Sequence, residues 1–327
     1  MNDFPTICVV GSGAFGSALS SVIASRGNSC TTLLGRQENL MQHLKETLIH
    51  TKALPDIKLS QFLRFSTDYE CLYEADIVLF AVSSKGYGDA ISFYGKWLKD
   101  SADIVICSKG FECQTGMLLS EYSEKTLPSH PFSVLSGPGF AVDIARGLPV
   151  AVTLASDNID RSKRLSEMLS SHSFRVEYSD DRIGVQLGGA LKNVIAIASG
   201  ILEGKKLGDS ARAMLIVQGL SEIAEVTKIL GGRADTVWGL SGLGDLMLTA
   251  TSKKSRNFAF GILLGQGKQL ELDKIGLVEG ALAASRIVKI AAGFGLELPI
   301  ARAVSDVVAN RITVDESLDV FCSNFLS

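Results

Sequence analysis

The chain has 327 residues, of which 46% are hydrophobic and 20% are charged, a balance typical of a globular protein that excludes wholesale disorder. Its length exceeds the ~250–300 residues at which a single hydrophobic core usually stops growing, so we expect two domains. The formal net charge of −3 provides no global basic field, and we therefore expect no nucleic-acid partner.

Short apolar runs alternate with helix-length segments through the first half of the chain, which is typical of βαβ units and a mostly parallel sheet. The predicted strands are Thr6–Val10, Cys30–Leu34, Ile77–Val82, Ile104–Cys107, Phe132–Leu135, Val150–Leu154 and Phe174–Tyr178. The segment Ala14–Arg26 predicts a helix that ends at Gly27. The pattern favours an α/β fold that begins with a Rossmann domain, a doubly wound parallel sheet.

The pattern changes after about Asp180, where the segments become long and helical and glycines mark the joints. The predicted helices are Ile183–Ile201, Ser210–Leu230, Ala259–Leu264 and Gly280–Phe294. We therefore predict a nucleotide-binding Rossmann domain over residues 1–182 and an all-α, substrate-binding and catalytic domain over residues 183–327.

Cysteine and histidine usage gives no sign of a disulfide framework or a metal site. The six cysteines form no Cys-x-x-Cys pair, which favours a reducing compartment, and none of the four histidines accompanies such a pair. The N-terminus lacks the pattern of a signal peptide, and no stretch of 18 apolar residues is present. We expect a cytoplasmic protein with no membrane span and no bound metal.

The first predicted strand runs directly into Gly11-Ser12-Gly13-Ala14-Phe15-Gly16, a G-x-G-x-x-G motif. In a dinucleotide site Gly11 makes the tight turn, Gly13 lets the backbone approach a pyrophosphate, and Gly16 allows close helix–strand packing. The following helix directs its N-terminal amides at the anion. A glycine-rich turn alone is a weak signal, but its position between a strand and a helix predicts dinucleotide binding.

The second strand ends at Leu33-Leu34-Gly35-Arg36, where an NAD site usually offers an acidic side chain to the ribose 2′-hydroxyl. Arg36 suits a 2′-phosphate, which favours NADPH over NADH. The alternative is that Arg36 is an ordinary solvated cation and that Glu38 binds the ribose.

Lysine is the better candidate for acid–base catalysis, because no histidine follows a strand-end glycine and no Gly-x-Ser-x-Gly elbow is present. Lys109 follows the strand Ile104–Cys107, at the sheet edge where ligands bind in open α/β folds. Lys192 shares a small, polar helix face with Gly189, Asn193 and Ala196. Desolvation there would lower its pKa towards use in catalysis, but close helix packing with Lys192 reaching out to water explains the pattern equally well.

A basic loop contains Ser255-Arg256-Asn257, preceded by Lys253-Lys254. Arginine offers a planar fork to phosphate, while serine and asparagine supply neutral hydrogen bonds. By itself this tripeptide is non-specific, and a solvated loop is the simpler interpretation.

Six motifs in order resemble the bacterial NAD(P)-dependent glycerol-3-phosphate dehydrogenase family. They lie between the first strand and about Pro299 and are Ser108-Lys109-Gly110, Ser136-Gly137-Pro138, the run from Gly184 to Val194, Gly242-Leu243-Gly244-Asp245-Leu246, Ser255-Arg256-Asn257 and Val278-Glu279-Gly280. The resemblance implies that Lys192 is the catalytic proton donor and acceptor. It also implies substrate contacts at Lys109, Gly137, Gly139, Lys192, Asp245, Ser255, Arg256 and Asn257. The implied cofactor contacts, in addition to the three motif glycines, are Ala14, Phe15, Arg36, Lys109, Ala141, Arg256, Leu277 and Glu279.

Two departures from the family pattern bear on these assignments. Gly139 stands where the family usually has threonine or serine, so a hydroxyl contact is lost and only the backbone amide remains. The segment before Glu279 is one residue short of the common pattern, which affects the placement of Leu277.

The resemblance implies hydride transfer between NADPH or NADH and dihydroxyacetone phosphate, giving sn-glycerol 3-phosphate for phospholipid synthesis, and we expect a homodimer. A related alternative is a β-hydroxyacid or ketopantoate-type reductase, whose substrate carboxylate would not need the Ser255-Arg256-Asn257 loop. A non-catalytic dinucleotide sensor is the alternative from another class. It would keep the glycine turn but has no reason to keep Lys109, Lys192 and Asp245.

Overall fold

The computed structural model describes residues 4–268 and 278–323. The chain divides into two compact units. Unit 1 comprises Met1–Ser108 and Met117–Arg182, and unit 2 comprises Lys109–Gly116 and Ile183–Ser327. The short segment Lys109–Gly116 thus belongs to unit 2, although the sequence-based division places it within 1–182. The functional division into domains 1–182 and 183–327 remains a prediction.

Unit 1 contains one eight-stranded sheet in the order β3-β2-β1-β4-β5-β6-β7-β8. The strands are β1 (Thr6–Val10), β2 (Cys30–Leu34), β3 (Arg64–Ser66), β4 (Ile77–Phe80), β5 (Asp103–Ile106), β6 (Phe132–Ser136), β7 (Val150–Ala155) and β8 (Phe174–Ser179). All neighbouring pairs are parallel except β6 and β7. The mostly parallel sheet, followed by a helical unit, confirms the predicted fold class.

Helices and short helical turns connect the strands of unit 1. The α-helices are α1 (Ala14–Ala24), α2 (Glu38–Thr47), α3 (Ser84–Tyr94), α4 (Leu119–Thr126), α5 (Ala141–Ala145) and α6 (Ile159–Leu169). Two 3₁₀ turns, Tyr69–Leu72 and Gly95–Trp97, precede β4 and β5 respectively. Strands β4 and β5 are buried along their whole length, as expected for a sheet covered on both faces.

Strand β1 pairs with β2 and β4 and has side chains on both faces of the sheet. Ile7 and Val9 belong to one apolar cluster together with Leu19 and Ile23 of α1. Because successive side chains of a strand alternate, Cys8 lies on the opposite face. Every one of these residues is buried, so the start of the glycine motif is attached to a rigid strand.

Strand β3 was not predicted from sequence. It has three residues, with an exposed Arg64 and a buried Phe65, and it joins the sheet through backbone pairing with β2. A segment this short has no hydrophobic periodicity, so its strand conformation depends on a neighbour that is distant in sequence.

Unit 2 is helical, and no strand occurs within residues 183–268 and 278–323. The α-helices are α7 (Arg182–Gly204), α8 (Gly208–Ile229), α9 (Asp245–Ala250), α10 (Arg256–Gly265), α11 (Glu279–Gly293), α12 (Pro299–Val308) and α13 (Val314–Ser323). A 3₁₀ turn, Ala234–Trp238, and a single π-helical turn, Leu240–Gly244, lead into α9.

Glycines let α7 and α10 approach each other at backbone distance. A Cβ on Gly200 of α7 would lie 2.2 Å from the Phe258 carbonyl oxygen, and one on Gly261 of α10 would lie 2.1 Å from that of Ile197. Side chains at these positions would force the helices apart. The close crossing places the N-terminal residues of α10 near the middle of α7.

Helix α7 is long and apolar enough, by length and composition, to cross a membrane. An 18-residue window of it has a mean hydropathy of 1.4, and that window is entirely buried within the protein. Such complete burial is typical of a helix at the core of a folded unit.

Candidate active site

The glycine motif forms the turn between β1 and α1, as the sequence predicts. Gly11 has φ +117°, a conformation that favours glycine, and a Cβ there would lie 2.7 Å from the Ala81 carbonyl oxygen. A Cβ on Gly16 would lie 2.0 Å from the Gly11 carbonyl oxygen, so any other residue at position 16 would push the first turn of α1 away from the glycine turn. These two glycines are required by the protein's own packing.

Gly13 differs, because a Cβ at this position would meet no protein atom within 4 Å. It is exposed, has extended backbone and immediately precedes α1, whose first-turn amides have no acidic side chain beside them. Packing within the protein therefore does not explain the glycine, whereas close approach of an anion to the backbone does. This part of unit 1 fits the pyrophosphate of a dinucleotide.

His50 contacts the glycine turn and was not singled out from the sequence. It is buried, and its Nε2 donates to the Ser12 carbonyl oxygen (3.0 Å), while its Nδ1 accepts from the Ala53 amide (3.2 Å). The acceptor role of Nδ1 assigns the proton to Nε2. Because Ser12 lies 38 positions earlier in the chain, no local pattern could have indicated this contact.

The remaining predicted cofactor residues of unit 1 lie near the same turn. Ala14 and Phe15 in the first turn of α1 and Ala141 at the start of α5 are all half-buried against one apolar cluster. Arg36 follows β2 directly and is exposed, so its guanidinium is accessible to a ligand. Glu38, the alternative ribose ligand, is also exposed and begins α2.

Gly137 and Gly139 follow β6 in unit 1. Gly137 has φ +154°, and a Cβ there would lie 2.7 Å from Val152 Cα. A Cβ on Gly139 would lie 3.1 Å from Val150 Cγ1 and 3.2 Å from Ile144 Cδ1. The apolar side chains of Val150 and Ile144 therefore limit the room for any side chain at position 139.

In unit 2, one carboxylate binds two lysines. Asp245 Oδ1 accepts from Lys192 Nζ, and Asp245 Oδ2 accepts from Lys109 Nζ. Lys192 also donates to Thr249 Oγ1 at 2.8 Å, and Thr249 lies one turn after Asp245 on α9. Lys192 is only 7% exposed and Asp245 1% exposed, so the ion pair between them is shielded from water, whereas the Lys109 side chain is 19% exposed.

Burial lowers the pKa of Lys192 to about 8 from its ordinary value near 10.5. The Asp245 carboxylate opposes that decrease, and the Lys109 ammonium adds to it. The alternative in which Lys192 reaches out to water is wrong, because its ammonium is held inside the unit. A lysine with this pKa can release and recover a proton near neutral pH.

Glycines also explain why the lysine cluster is compact. A Cβ on Gly188 of α7 would lie 2.9 Å from the Ser241 carbonyl oxygen, which belongs to the π-helical turn before Asp245. A Cβ on Gly242 in that turn would lie 2.0 Å from the Val237 carbonyl oxygen. The turn packs directly against α7 one helical turn before Lys192, which places the Asp245 carboxylate within reach of the Lys192 ammonium.

Glu279, at the start of α11, lies near the same cluster. It accepts from Asn193 Nδ2 (3.3 Å), and burial raises its pKa while Arg256, Lys192 and Lys109 oppose the increase. Asn193 follows Lys192 on α7, so one short run of that helix contacts both carboxylates.

The Ser255-Arg256-Asn257 tripeptide forms the start of α10, and its members have different roles within unit 2. Ser255 Oγ caps the helix by accepting from the Phe258 amide (3.3 Å), and Asn257 Oδ1 accepts from the Gly280 amide (3.0 Å). Arg256 is exposed and close enough to Glu279 to stabilise its charged form. The loop is therefore ordered by its serine and asparagine, and Arg256 remains accessible to a ligand.

The structure thus brings Lys109, Lys192, Asp245, Arg256 and Glu279 into one neighbourhood of unit 2. Leu277 lies outside the described residues. Thr249 was missed, although its i+4 spacing from Asp245 on a helix was a usable signal. Among the described residues, no group of three or more His, Cys, Asp or Glu side chains could hold a metal ion.

Two family models together cover most of the chain. The N-terminal model of NAD-dependent glycerol-3-phosphate dehydrogenase matches residues 6–162, and the C-terminal model matches residues 181–319. The chain belongs to this family. The match confirms the predicted resemblance, and with it an enzyme of the oxidoreductase class that uses NAD(P) and acts on glycerol 3-phosphate.

Curated relatives agree with the family match. A glycerol-3-phosphate dehydrogenase (NAD(P)+) of Rhizobium etli is 50% identical over 313 residues, which is 96% of each chain. One of Agrobacterium fabrum is 48% identical over 312 residues, 95% of each chain.

Solved structures show the same fold over the full length. Glycerol-3-phosphate dehydrogenase of Coxiella burnetii superposes with a TM-score of 0.89 at 31% identity, covering 99% of both chains. A ketopantoate reductase of Ralstonia eutropha superposes with a TM-score of 0.62 at 17% identity, covering 96% of this chain and 99% of its own. The latter likeness concerns the fold alone.

Proposed function

We propose that the chain transfers hydride between NAD(P)H and dihydroxyacetone phosphate to give sn-glycerol 3-phosphate, with Lys192 as the group that supplies the proton. Family membership supports the reaction, and the buried Lys192–Asp245–Lys109 cluster supports the role of the lysine. Bound NAD(P)H would supply the hydride.

Lys192 has the properties that this proton transfer requires. When hydride reaches the carbonyl carbon, negative charge develops on the oxygen, and a proton from the Lys192 ammonium neutralises it. Asp245 and Thr249 hold that ammonium in one position, so the proton is available without reorganisation of water. Lys109, which pairs with the other oxygen of the same carboxylate, would contact the substrate.

Recognition of the substrate phosphate is assigned to the start of α10. Arg256 supplies the charge, and the N-terminus of the helix adds its partial positive charge. Ser255 and Asn257 act mainly by ordering the loop, since each already holds a backbone amide. The substrate contacts that the resemblance implies at Gly137 and Gly139 stay predictions.

Cofactor binding is assigned to the glycine turn, and Arg36 to the 2′-phosphate, which favours NADPH. The family model and the geometry at Gly13 support dinucleotide binding, and the exposure of Arg36 after β2 supports the preference. Ala14, Phe15 and Ala141 of unit 1 would complete that site, and a cofactor contact at Glu279 stays a prediction. We also place the enzyme in the cytoplasm, as a homodimer that feeds glycerophospholipid synthesis.

The test is a substrate comparison with matched variants of the basic loop. NADPH oxidation is followed with dihydroxyacetone phosphate and with ketopantoate, which offers a carboxylate in place of the phosphate. Arg256→Ala should raise KM for dihydroxyacetone phosphate about 10- to 150-fold, the value of a charge-assisted contact. Lys253→Ala removes the same charge three residues away and should change KM little.

Turnover of ketopantoate but not of dihydroxyacetone phosphate would refute the proposed substrate. Tight NADPH binding without oxidation by either substrate would favour the dinucleotide sensor. Equal effects of Arg256→Ala and Lys253→Ala would show that the loop contributes only general positive charge.

A further inference from the structure

Two cysteines of unit 1 that are far apart in sequence lie in direct contact. The Sγ atoms of Cys8 and Cys71 are 3.9 Å apart, although the residues are separated by 63 positions. Cys8 is buried on β1, and Cys71 is half-buried in the 3₁₀ turn Tyr69–Leu72. The buried thiol of Cys8 thus contacts the thiol of Cys71, which solvent can reach.

We propose that Cys8 and Cys71 form a redox-active thiol pair that hydrogen peroxide oxidises to an intramolecular disulfide. A disulfide needs the sulfur atoms about 2.05 Å apart, so they must approach by about 1.9 Å from their present 3.9 Å. Cys8 belongs to a strand that is paired on both sides. The approach is therefore made by Cys71 and its short turn.

The two thiols differ in the way that this reaction requires. The hydrogen bond from Cys8 lowers the pKa of Cys71, although burial and the nearby carboxylates of Asp68 and Glu74 oppose the decrease. The same contact and burial raise the pKa of Cys8. Cys71 is thus the more nucleophilic and more accessible thiol, and Cys8 is the resolving thiol.

The reaction proceeds in two steps. The Cys71 thiolate attacks one peroxide oxygen, so that an S–O bond forms, the O–O bond breaks, and hydroxide leaves and takes up a proton. Cys8 then attacks the Cys71 sulfur of the sulfenic acid, so that the S–S bond forms and the S–O bond breaks. The Cys8 proton leaves with that oxygen as water. In sum, two thiols and one peroxide give one disulfide and two waters.

The location connects the pair with the nucleotide end of unit 1. Cys8 lies three positions before Gly11 on the same strand. Burial raises the pKa of the Tyr94 hydroxyl, the charge of Arg36 opposes that increase, and both thiols add to it, so the thiol pair and Arg36 act on a common side chain. In a reducing compartment a disulfide here would be transient, as in redox-sensing proteins.

Peptide mapping of the full-length chain tests the proposal directly. The reduced protein is exposed to hydrogen peroxide, its remaining thiols are alkylated under denaturing conditions, and it is digested with trypsin. Cleavage after lysine and arginine leaves Cys8 alone in peptide 1–26 and Cys71 alone in peptide 65–85. We expect these two peptides to be joined, and dithiothreitol to separate them.

Three variants separate this chemistry from general oxidation. Cys71→Ala should abolish the cross-link and slow peroxide-dependent loss of the Cys8 thiol about tenfold or more. Cys8→Ala, which keeps the interior apolar, should leave a Cys71 sulfenic acid that dimedone traps. Cys30→Ala, at a half-buried cysteine of the same sheet, should keep the Cys8–Cys71 cross-link.

Two results would overturn the proposal. One is the absence of a cross-link while Cys71 accumulates as sulfinic acid or remains a thiol. The other is reaction of Cys71 with peroxide no faster than that of Cys30. If Cys8→Ala fails to fold, the wild-type cross-link and the Cys71→Ala rate still decide the outcome.

Discussion

Replacing Lys192 with alanine removes a lysine whose pKa burial lowers to about 8. If its ammonium supplies the proton, the loss of general acid catalysis should lower kcat for dihydroxyacetone phosphate by ~10²–10⁴, or about 3–5.5 kcal/mol. Cofactor affinity should change little, because the glycine turn belongs to unit 1. Lys228→Ala, an exposed lysine-to-alanine change on α8, is the matched control and should leave kcat unchanged.

The pH dependence has a defined sign in each direction of the reaction. Reduction needs the ammonium form of Lys192, so kcat should be level below a pKa of about 8 and fall above it. Roughly nine in ten of these side chains are protonated at pH 7 and roughly one in ten at pH 9. Oxidation of glycerol 3-phosphate needs the neutral amine, so its kcat should rise through the same pH range.

The neighbours of Lys192 should move that inflection in opposite directions. The Asp245 carboxylate raises the pKa of Lys192, so Asp245→Asn should shift the inflection to lower pH. Lys109 lowers the pKa, so Lys109→Ala should shift it to higher pH. A residue with a purely structural role would lower kcat without producing this pair of opposite shifts.

The assay is steady-state NADPH oxidation at saturating substrate from pH 6 to pH 10, with thermal unfolding confirming that each variant is folded. The assignment fails if Lys192→Ala keeps a near-normal kcat and the inflection near pH 8 disappears only in Lys109→Ala. Lys109 would then be the proton donor, and Lys192 would only hold Asp245 in place.

Three further changes test other parts of the structure. Arg36→Asp should lower the ratio of kcat/KM for NADPH to kcat/KM for NADH by about 10- to 150-fold, because the side chain that binds the 2′-phosphate is replaced by one that accepts from the ribose hydroxyl. An unchanged ratio would contradict the role of Arg36. His50→Ala should raise KM for NADPH about 5- to 30-fold with kcat nearly intact, because the Ser12 carbonyl oxygen loses its hydrogen-bond donor. If that hydrogen bond is responsible, His50→Gln should have a lower KM for NADPH than His50→Ala. Burial raises the pKa of Glu222 to about 7. Between about pH 4.5 and pH 7 the unfolded chain has released this proton and the folded chain has kept it, so the free energy of unfolding falls as the pH rises through that range. The melting temperature of Glu222→Gln should therefore rise relative to that of the wild type as the pH increases over that range. A difference in melting temperature that does not change with pH would disprove the assignment.

Local patterns in the sequence were sufficient for most of unit 1. Strands such as Ile77–Phe80 are apolar along their length because both faces of the sheet are covered, and that property is visible without any partner. The G-x-G-x-x-G motif likewise needs only its neighbouring strand and helix. Helix bounds shifted by a few residues, as at α1, where the predicted end at Arg26 moves to Ala24.

The environment of Lys192 could not be decided in the same way. Its helix face was compatible with a buried catalytic lysine and with a lysine reaching out to water, and the two alternatives differ only in what packs against α7. Gly188 lets the π-helical turn approach α7, Gly242 lets the same turn pack against Val237, and this packing brings the Asp245 carboxylate to the ammonium. Desolvation and pairing, which together determine the pKa, are properties of that packing.

Contacts between distant positions account for the remaining differences. His50 contacts Ser12 across 38 positions, and Cys8 contacts Cys71 across 63, so neither pair leaves a periodic trace in the sequence. The sequence alone determined seven of the eight strands, the nucleotide turn and the set of candidate lysines, because these depend on short-range periodicity and residue type. Only the tertiary structure decided which carboxylate, carbonyl or thiol each side chain meets, because burial and charge act through space between residues that chain folding brings together.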